Sequence, residues 1–126
     1  MADLLLDTHV VLWWLEEPGL LRAEAREAIV HPNHDVYVSV ASAWEMNIKS
    51  ALGKLRIPDD LPQVLDANEF EVLDVTLSHA MGLRDLPAVH RDPFDRLLIA
   101  QARIEGLTIV TRDPRIGQYD VPVLAA

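Results

Sequence analysis

The sequence predicts an α/β fold, a parallel sheet of about five strands covered by helices in a three-layer α/β/α sandwich. Three observations carry this. Short apolar runs without strict alternation suit strands buried on both faces. These runs alternate with segments of helical period, the pattern of crossover connections. The helical segments also carry start and stop chemistry where it is needed, such as Pro93 opening one and Gly106 closing it.

Taken in order, "DLLL" at 3–6 is the first strand and "THVVLWWL" a short helix that "EEPG" stops. Residues 20–31 are helical, with Leu21, Ala25, Ala28 and Ile29 on one side. "DVYVSV" is a strand. "ASAWEMNIKSAL" is a helix with an apolar stripe, Val40, Trp44, Ile48 and Leu52, ended by Gly53. A helix over 61–69 leads to the strand "EVLDV", 71–75, and "SHAMGLRDL" is a short helix. "PFDRLLIAQARIEG" is the long helix, "LTIV" a strand and "VPVL" a short last one.

The 126 residues, 50% hydrophobic and 25% charged, are expected to form one domain over 1–126. Without cysteine, disulfides and thiolate metal sites are excluded. The opening "MADLLLDTHVVLWWLEEP" has no basic leader, and Asp7 and His9 interrupt its apolar run. It therefore predicts neither a signal peptide nor a membrane span, and a soluble, cytoplasmic protein is expected. The net charge of -9 argues against a broadly basic nucleic-acid surface. It does not argue against carboxylates gathered to hold cations, since two divalent ions would offset four of those charges.

The acids fall in a pattern. Asp7 directly follows the first strand, and Asp113 stands just after "TIV". Glu45 lies on the first turns of the helix after "VYV", and Asp95 on the first turn of the long helix. In an open parallel sheet, ligands bind beyond the carboxyl ends of the strands at a switch point in strand order. If the first strand neighbours "LTIV", three or four carboxylates converge there. Such a cluster is costly without a cation, and its hard oxygens suit Mg²⁺ or Mn²⁺.

Each acid also has an ordinary use. Asp92 before Pro93 is a good helix cap, with Asp95 resembling its capping-box partner. Asp113 before Pro114 can cap a turn, and Glu45 can pair with Lys49 on a solvated helix face, although its place beside the Trp44 stripe also suits partial burial. For Asp7, against an apolar strand, ordinary uses are few. His9 and His90 read as local hydrogen-bonding groups without a metal role. Trp13 and Trp14 read as core or interface before base-stacking. Arg91, Arg96, Arg112 and Arg115 surround the two "RDP" phrases, either pairing with neighbouring aspartates or forming a rim that holds substrate phosphate.

Four blocks, "LLLDTHVVLWWL", "SVASAWEMNIKSALGKL", "HRDPFDRLLIAQA" and "TIVTRD", resemble the PIN-domain ribonucleases in order and spacing. They look closest to the toxins of VapBC-type toxin–antitoxin pairs. The resemblance implies a five-stranded parallel sheet and Mg²⁺- or Mn²⁺-dependent endoribonuclease activity on single-stranded RNA regions. Cleavage would use metal-activated water and leave 5′-phosphate and 3′-hydroxyl ends. The family's four acids fall on Asp7, Glu45, Asp95 and Asp113, with Thr8 and Thr111 as supporting hydroxyls and Asp92 as cap or outer support. The resemblance further implies a homodimer and an antitoxin partner, for which "VVLWWL" would be a plausible wall. Two other functional classes compete. A phosphoacceptor receiver-like binding module would want paired acids after the first strand and a lysine near the last; an aspartyl-phosphate phosphatase would want an acid where His9 stands. A PIN-like protein acting only through a partner would not need four acids.

Overall fold

The computed structural model describes residues 3–126. Five strands form one wholly parallel sheet in the order β3-β2-β1-β4-β5. They are β1 (Leu4–Leu6), β2 (Val36–Ser39), β3 (Glu71–Leu73), β4 (Thr108–Thr111) and β5 (Val123–Ala125). Between them lie α1 (Thr8–Glu16), α2 (Ala23–Val30), α3 (Val40–Ala51), α4 (Leu61–Ala67), α5 (Leu77–Gly82) and α6 (Pro93–Glu105). Short 3₁₀ turns cover Pro18–Leu20, Leu83–Asp85 and Ile116–Gln118. No helix among the described residues is long and apolar enough to cross a membrane.

The side-chain period of a strand explains the two cores. From β1, Leu4 and Leu6 enter one cluster with Val10, Val11, Ala25, Val38 and Met46. Leu5, between them, enters the opposite cluster with Leu98, Ile99 and Ile109. Fully burying such a side chain contributes about 1.5–3 kcal/mol. The central strand is thus covered on both faces, as its uninterrupted "LLL" requires.

β1 pairs with β2 on one side and β4 on the other, and strand order reverses at this point. Leu6 is in register with Val110, and the Asp7 amide donates to the Val110 carbonyl at 3.0 Å. The adjacency that the sequence left as a condition is therefore present. It sets the residues after β1 and β4 side by side at the carboxyl edge.

Three expectations need correction. The segment 20–31 is not one helix: Pro18 starts a 3₁₀ turn, Leu21 is extended, and α2 begins at Ala23. Leu21 still reaches the core as a single inserted side chain. The strand 71–75 ends at Leu73, on an edge where Val72 is exposed. The stripe Val40, Trp44, Ile48 and Leu52 is not the buried face of α3; Trp44 is 59% and Leu52 65% exposed. The buried face is Ala41, Ser42, Glu45 and Met46. α3 follows β2 without a loop, so its first turns lie close to α1 and α6, and small residues there permit the approach. Apolar period located the helix, but it could not tell which face the sheet edge would take.

Candidate active site

The carboxyl edge opens into a cleft of about 380 Å³ lined by Asp7, Glu45, Asp92, Asp95 and Asp113. Lys49, His9, His90, Trp13, Arg112 and Arg115 complete the lining. Five carboxylates thus face three fixed cations, Lys49, Arg112 and Arg115.

Asp7 ends β1 and precedes α1, with no side-chain capping bond. Its carboxylate instead accepts a hydrogen bond from Thr111 Oγ1 at 2.7 Å, across the β1–β4 pair. Burial pushes the Asp7 carboxyl above its ordinary range and Glu45 adds to this, although Thr111 and His9 pull the other way. Glu45 is 3% exposed on α3. Thr8 Oγ1 lies 2.8 Å from Glu45 Oε1 and 2.9 Å from Ser42 Oγ. Lys49, one turn on, donates to the other Glu45 oxygen. The expected Glu45–Lys49 pair exists, but it sits at the cleft and not on a solvated face.

α6 supplies the third acid. Asp92 Oδ1 accepts from the Phe94 and Asp95 amides at 2.8 and 3.2 Å, so it is the N-cap, with Pro93 following in the first turn. A capping box does not form, because the Asp92 amide donates to His90 Nδ1 at 3.2 Å instead of to Asp95. Asp95 is thereby left free to face the other acids. Burial, then the charges of Asp7, Asp92, Glu45 and Asp113, push its carboxyl up to about 8. Asp92→Asn keeps an N-cap oxygen, so the ribonuclease activity that the resemblance implies should fall clearly less than in Asp95→Asn in the same assay. Equal losses would make Asp92 a direct ligand.

Asp113 follows β4. Its amide donates to Thr111 Oγ1, and its Oδ1 accepts from the Arg115 amide at 2.9 Å, so it also caps the turn at Pro114. Burial pushes this carboxyl up, but hydrogen bonds from Arg115 and His90 outweigh it and hold it below the usual range.

His90, set aside in the sequence, is central. Since Nδ1 accepts from the Asp92 amide, the ring proton lies on Nε2. Nε2 donates to Asp113 Oδ2 at 2.9 Å and lies 2.8 Å from Asp95 Oδ2. One ligand atom from each of His90, Asp95 and Asp113 falls within 4.8 Å of the others. The ring is held by its backbone: the His90 amide donates to Tyr119 Oη at 2.8 Å, which accepts from Arg96 at 3.2 Å. Arg96 also donates to the Pro87 carbonyl at 2.9 Å. The separation of 23 positions between His90 and Asp113 hid this contact in the sequence.

The arginines divide. Arg112 and Arg115 line the cleft. Arg96, expected on a phosphate rim, braces the loop before α6 and is absent from the cleft lining. Arg91 is exposed and also outside the lining. The tryptophans divide as well. Trp14 packs on Phe70 and donates to Asn68 Oδ1 at 3.1 Å, while Trp13 reaches the cleft.

The doubled-back parallel sheet and the acids at its switch point define the class, and a model of the PIN domain matches residues 4–122. The chain belongs to the PIN-domain family, as its four sequence blocks indicated. It is 30% identical over 125 residues to Ribonuclease VapC22 of Mycobacterium tuberculosis, covering 97% of this chain and 95% of that one. The fold is similar to VapBC2 from Rickettsia felis, solved bound to a promoter DNA fragment, with a TM-score of 0.73 at 14% identity and 97% of each chain covered. It is also similar to a toxin–antitoxin complex from Klebsiella pneumoniae, with a TM-score of 0.67 at 16% identity, covering 98% of this chain and 97% of that one.

Proposed function

We propose that this chain is a divalent-cation-dependent endoribonuclease and the toxin of a toxin–antitoxin pair, acting as one nuclease domain in the cytoplasm. The observation that carries the reading is the convergence of Asp7, Glu45, Asp95 and Asp113, from four separate segments, at the sheet's switch point. The likeness to a protein named as a ribonuclease supports the same reading.

The donor set fits Mg²⁺ or Mn²⁺. It is rich in hard carboxylate oxygens and has no thiolate. The carboxylates outnumber the fixed cations of the cleft by two, the charge of one divalent ion. The proton that Asp95 retains near neutrality marks where a cation would relieve repulsion. Asp7, Glu45, Asp95 and Asp113 would hold the cation, directly or through water. A bound divalent ion supplies a Lewis acid that activates water toward phosphorus and offsets charge on the departing oxygen. The chain's own residues prepare this chemistry. Thr111 and Thr8 orient Asp7 and Glu45, and His90 keeps Asp95 and Asp113 close. Arg112, Arg115 and Lys49 offer positive charge to the phosphate backbone in an otherwise acidic protein. The products would carry 5′-phosphate and 3′-hydroxyl ends.

We further assign it an antitoxin and a homodimeric state. The exposed stripe of α3 is apolar surface of the kind that association covers. Of "VVLWWL", Val10 and Val11 are buried and Trp14 is committed to Phe70 and Asn68. The part left for a partner wall is therefore narrower than the whole segment.

Purified protein should cleave single-stranded RNA with Mg²⁺ or Mn²⁺ and not with chelator. Asp7→Asn should lose this activity. Cleavage that survives both chelation and Asp7→Asn would refute the reading in favour of a PIN-like protein acting through its partner or of a contaminating nuclease.

A further inference from the structure

One wall of the cleft is not explained by cation binding. His9 and Trp13, one helical turn apart on α1, stand with ring centroids 5.9 Å apart and planes tilted by 42°. The Arg112 guanidinium carbon lies 4.4 Å from the Trp13 ring centroid. All three line the same cleft as the acids. His9 is exposed and Trp13 half-buried, so both rings stay partly accessible along this wall.

Arg112 is fixed there. It donates to the backbone oxygens of Leu20 and Ala126, and among the described residues it has no aspartate or glutamate ion-pair partner. Two of its five N–H groups are thereby used, and three remain. Its stacked position stiffens the indole from one side and leaves a positive charge at the lip. An indole backed by a cation, continued by an exposed imidazole and set beside a phosphate-hydrolysing centre, is suited to an unpaired nucleobase whose own phosphate is anionic. Both tryptophans pack partly against the core, but Trp14 is turned away and hydrogen-bonded to Asn68, whereas Trp13 also reaches the cleft.

We propose that His9 and Trp13, backed by Arg112, form a stacking subsite for an unpaired base next to the scissile phosphodiester. This rests on the nuclease reading above and goes further by naming what the substrate must offer. Stacking accepts any base, because every base has a π-face, but it requires that the base be out of a duplex. The subsite therefore selects single-stranded segments before it selects a sequence.

The test compares two probes, a labelled decaadenylate and a decamer of abasic ribose phosphates, bound to the Asp95→Asn protein so that neither is cut. Decaadenylate should bind roughly ten- to a hundredfold more tightly than the abasic chain. Adding Trp13→Ala should remove most of that ratio while leaving affinity for the abasic chain unchanged. Trp13→Phe should retain much of it. His9→Ala, at an exposed position that leaves the core intact, should reduce it in a folded protein. A Trp13→Ala protein that keeps the full ratio overturns the subsite. So does one that keeps both RNA affinities and instead loses its antitoxin, which would give this wall to the protein partner. If the parent binds neither probe, the nuclease reading itself fails, and that result is distinct from a preserved ratio.

Discussion

Asp95→Asn is expected to lower RNA cleavage by on the order of a thousandfold or more, and at the same time to make the metal-free protein more stable at neutral and alkaline pH. Both effects come from one cause. Asp95 is held in the cleft by the α6 cap, facing Asp7, Glu45 and Asp113, and burial with their charges raises its carboxyl to about 8. The folded state therefore keeps a proton there that the unfolded chain releases near pH 3.8. The sign follows from linkage. As pH rises from about 4 to about 8, the unfolded state ionises first, and the metal-free folded protein loses stability over that window. Asparagine keeps the shape of the side chain and removes the charge. The melting temperature of metal-free Asp95→Asn should exceed that of the parent at about pH 8, and its fall with pH should be shallower. A variant equally inactive but less stable than the parent at that pH would show that Asp95 holds the fold and not a cation.

Mn²⁺ affinity is expected to rise steeply with pH, by about tenfold per unit for each proton displaced, and to flatten above about pH 8. A cation held by Asp95 must compete with its proton. Asp7, also raised by burial, adds to the slope in the same direction. Isothermal titration with Mn²⁺ at about pH 6 and about pH 8 should differ on the order of a hundredfold for a single displaced proton. It should also show proton release in buffers of different ionisation enthalpy. Asp113 should contribute little, because Arg115 and His90 already hold its carboxyl ionised. An affinity that is flat across this range would mean that Asp95 lies outside the cation's reach.

These expectations depend on residues of different legibility. Asp7 was legible because a carboxylate directly after a wholly apolar strand has few ordinary uses, and the chain places it at 6% exposure. Asp92 and Asp95 shared a phrase in which cap and ligand looked alike. The cap distances to the Phe94 and Asp95 amides show Asp92 in the first of those uses. Glu45 was legible as an acid on the right helix and as one that could be buried, which it is, although the apolar stripe beside it is itself exposed. Hydrophobic spacing reports amphipathicity only where a helix packs by its apolar side, and α3 packs by Ala41, Ser42, Glu45 and Met46. Of His90 only the local hydrogen bond was legible, the one its Nδ1 accepts from the Asp92 amide; its contact with Asp113 exists only once β4 delivers that residue.

The sequence by itself determined the strand–helix alternation, the caps and breaks, and the positions of four acids just past strand ends or at helix starts. Those are local properties, written in side-chain period, proline, glycine and hydrogen-bonding residues within a few positions of one another. Only the tertiary structure decided that β1 lies beside β4, that Arg96 serves the loop and Arg112 the cleft, and that His90 joins Asp95 to Asp113. Contacts over such separations are set by which faces pack and which strands pair, and no local pattern in the chain encodes that choice.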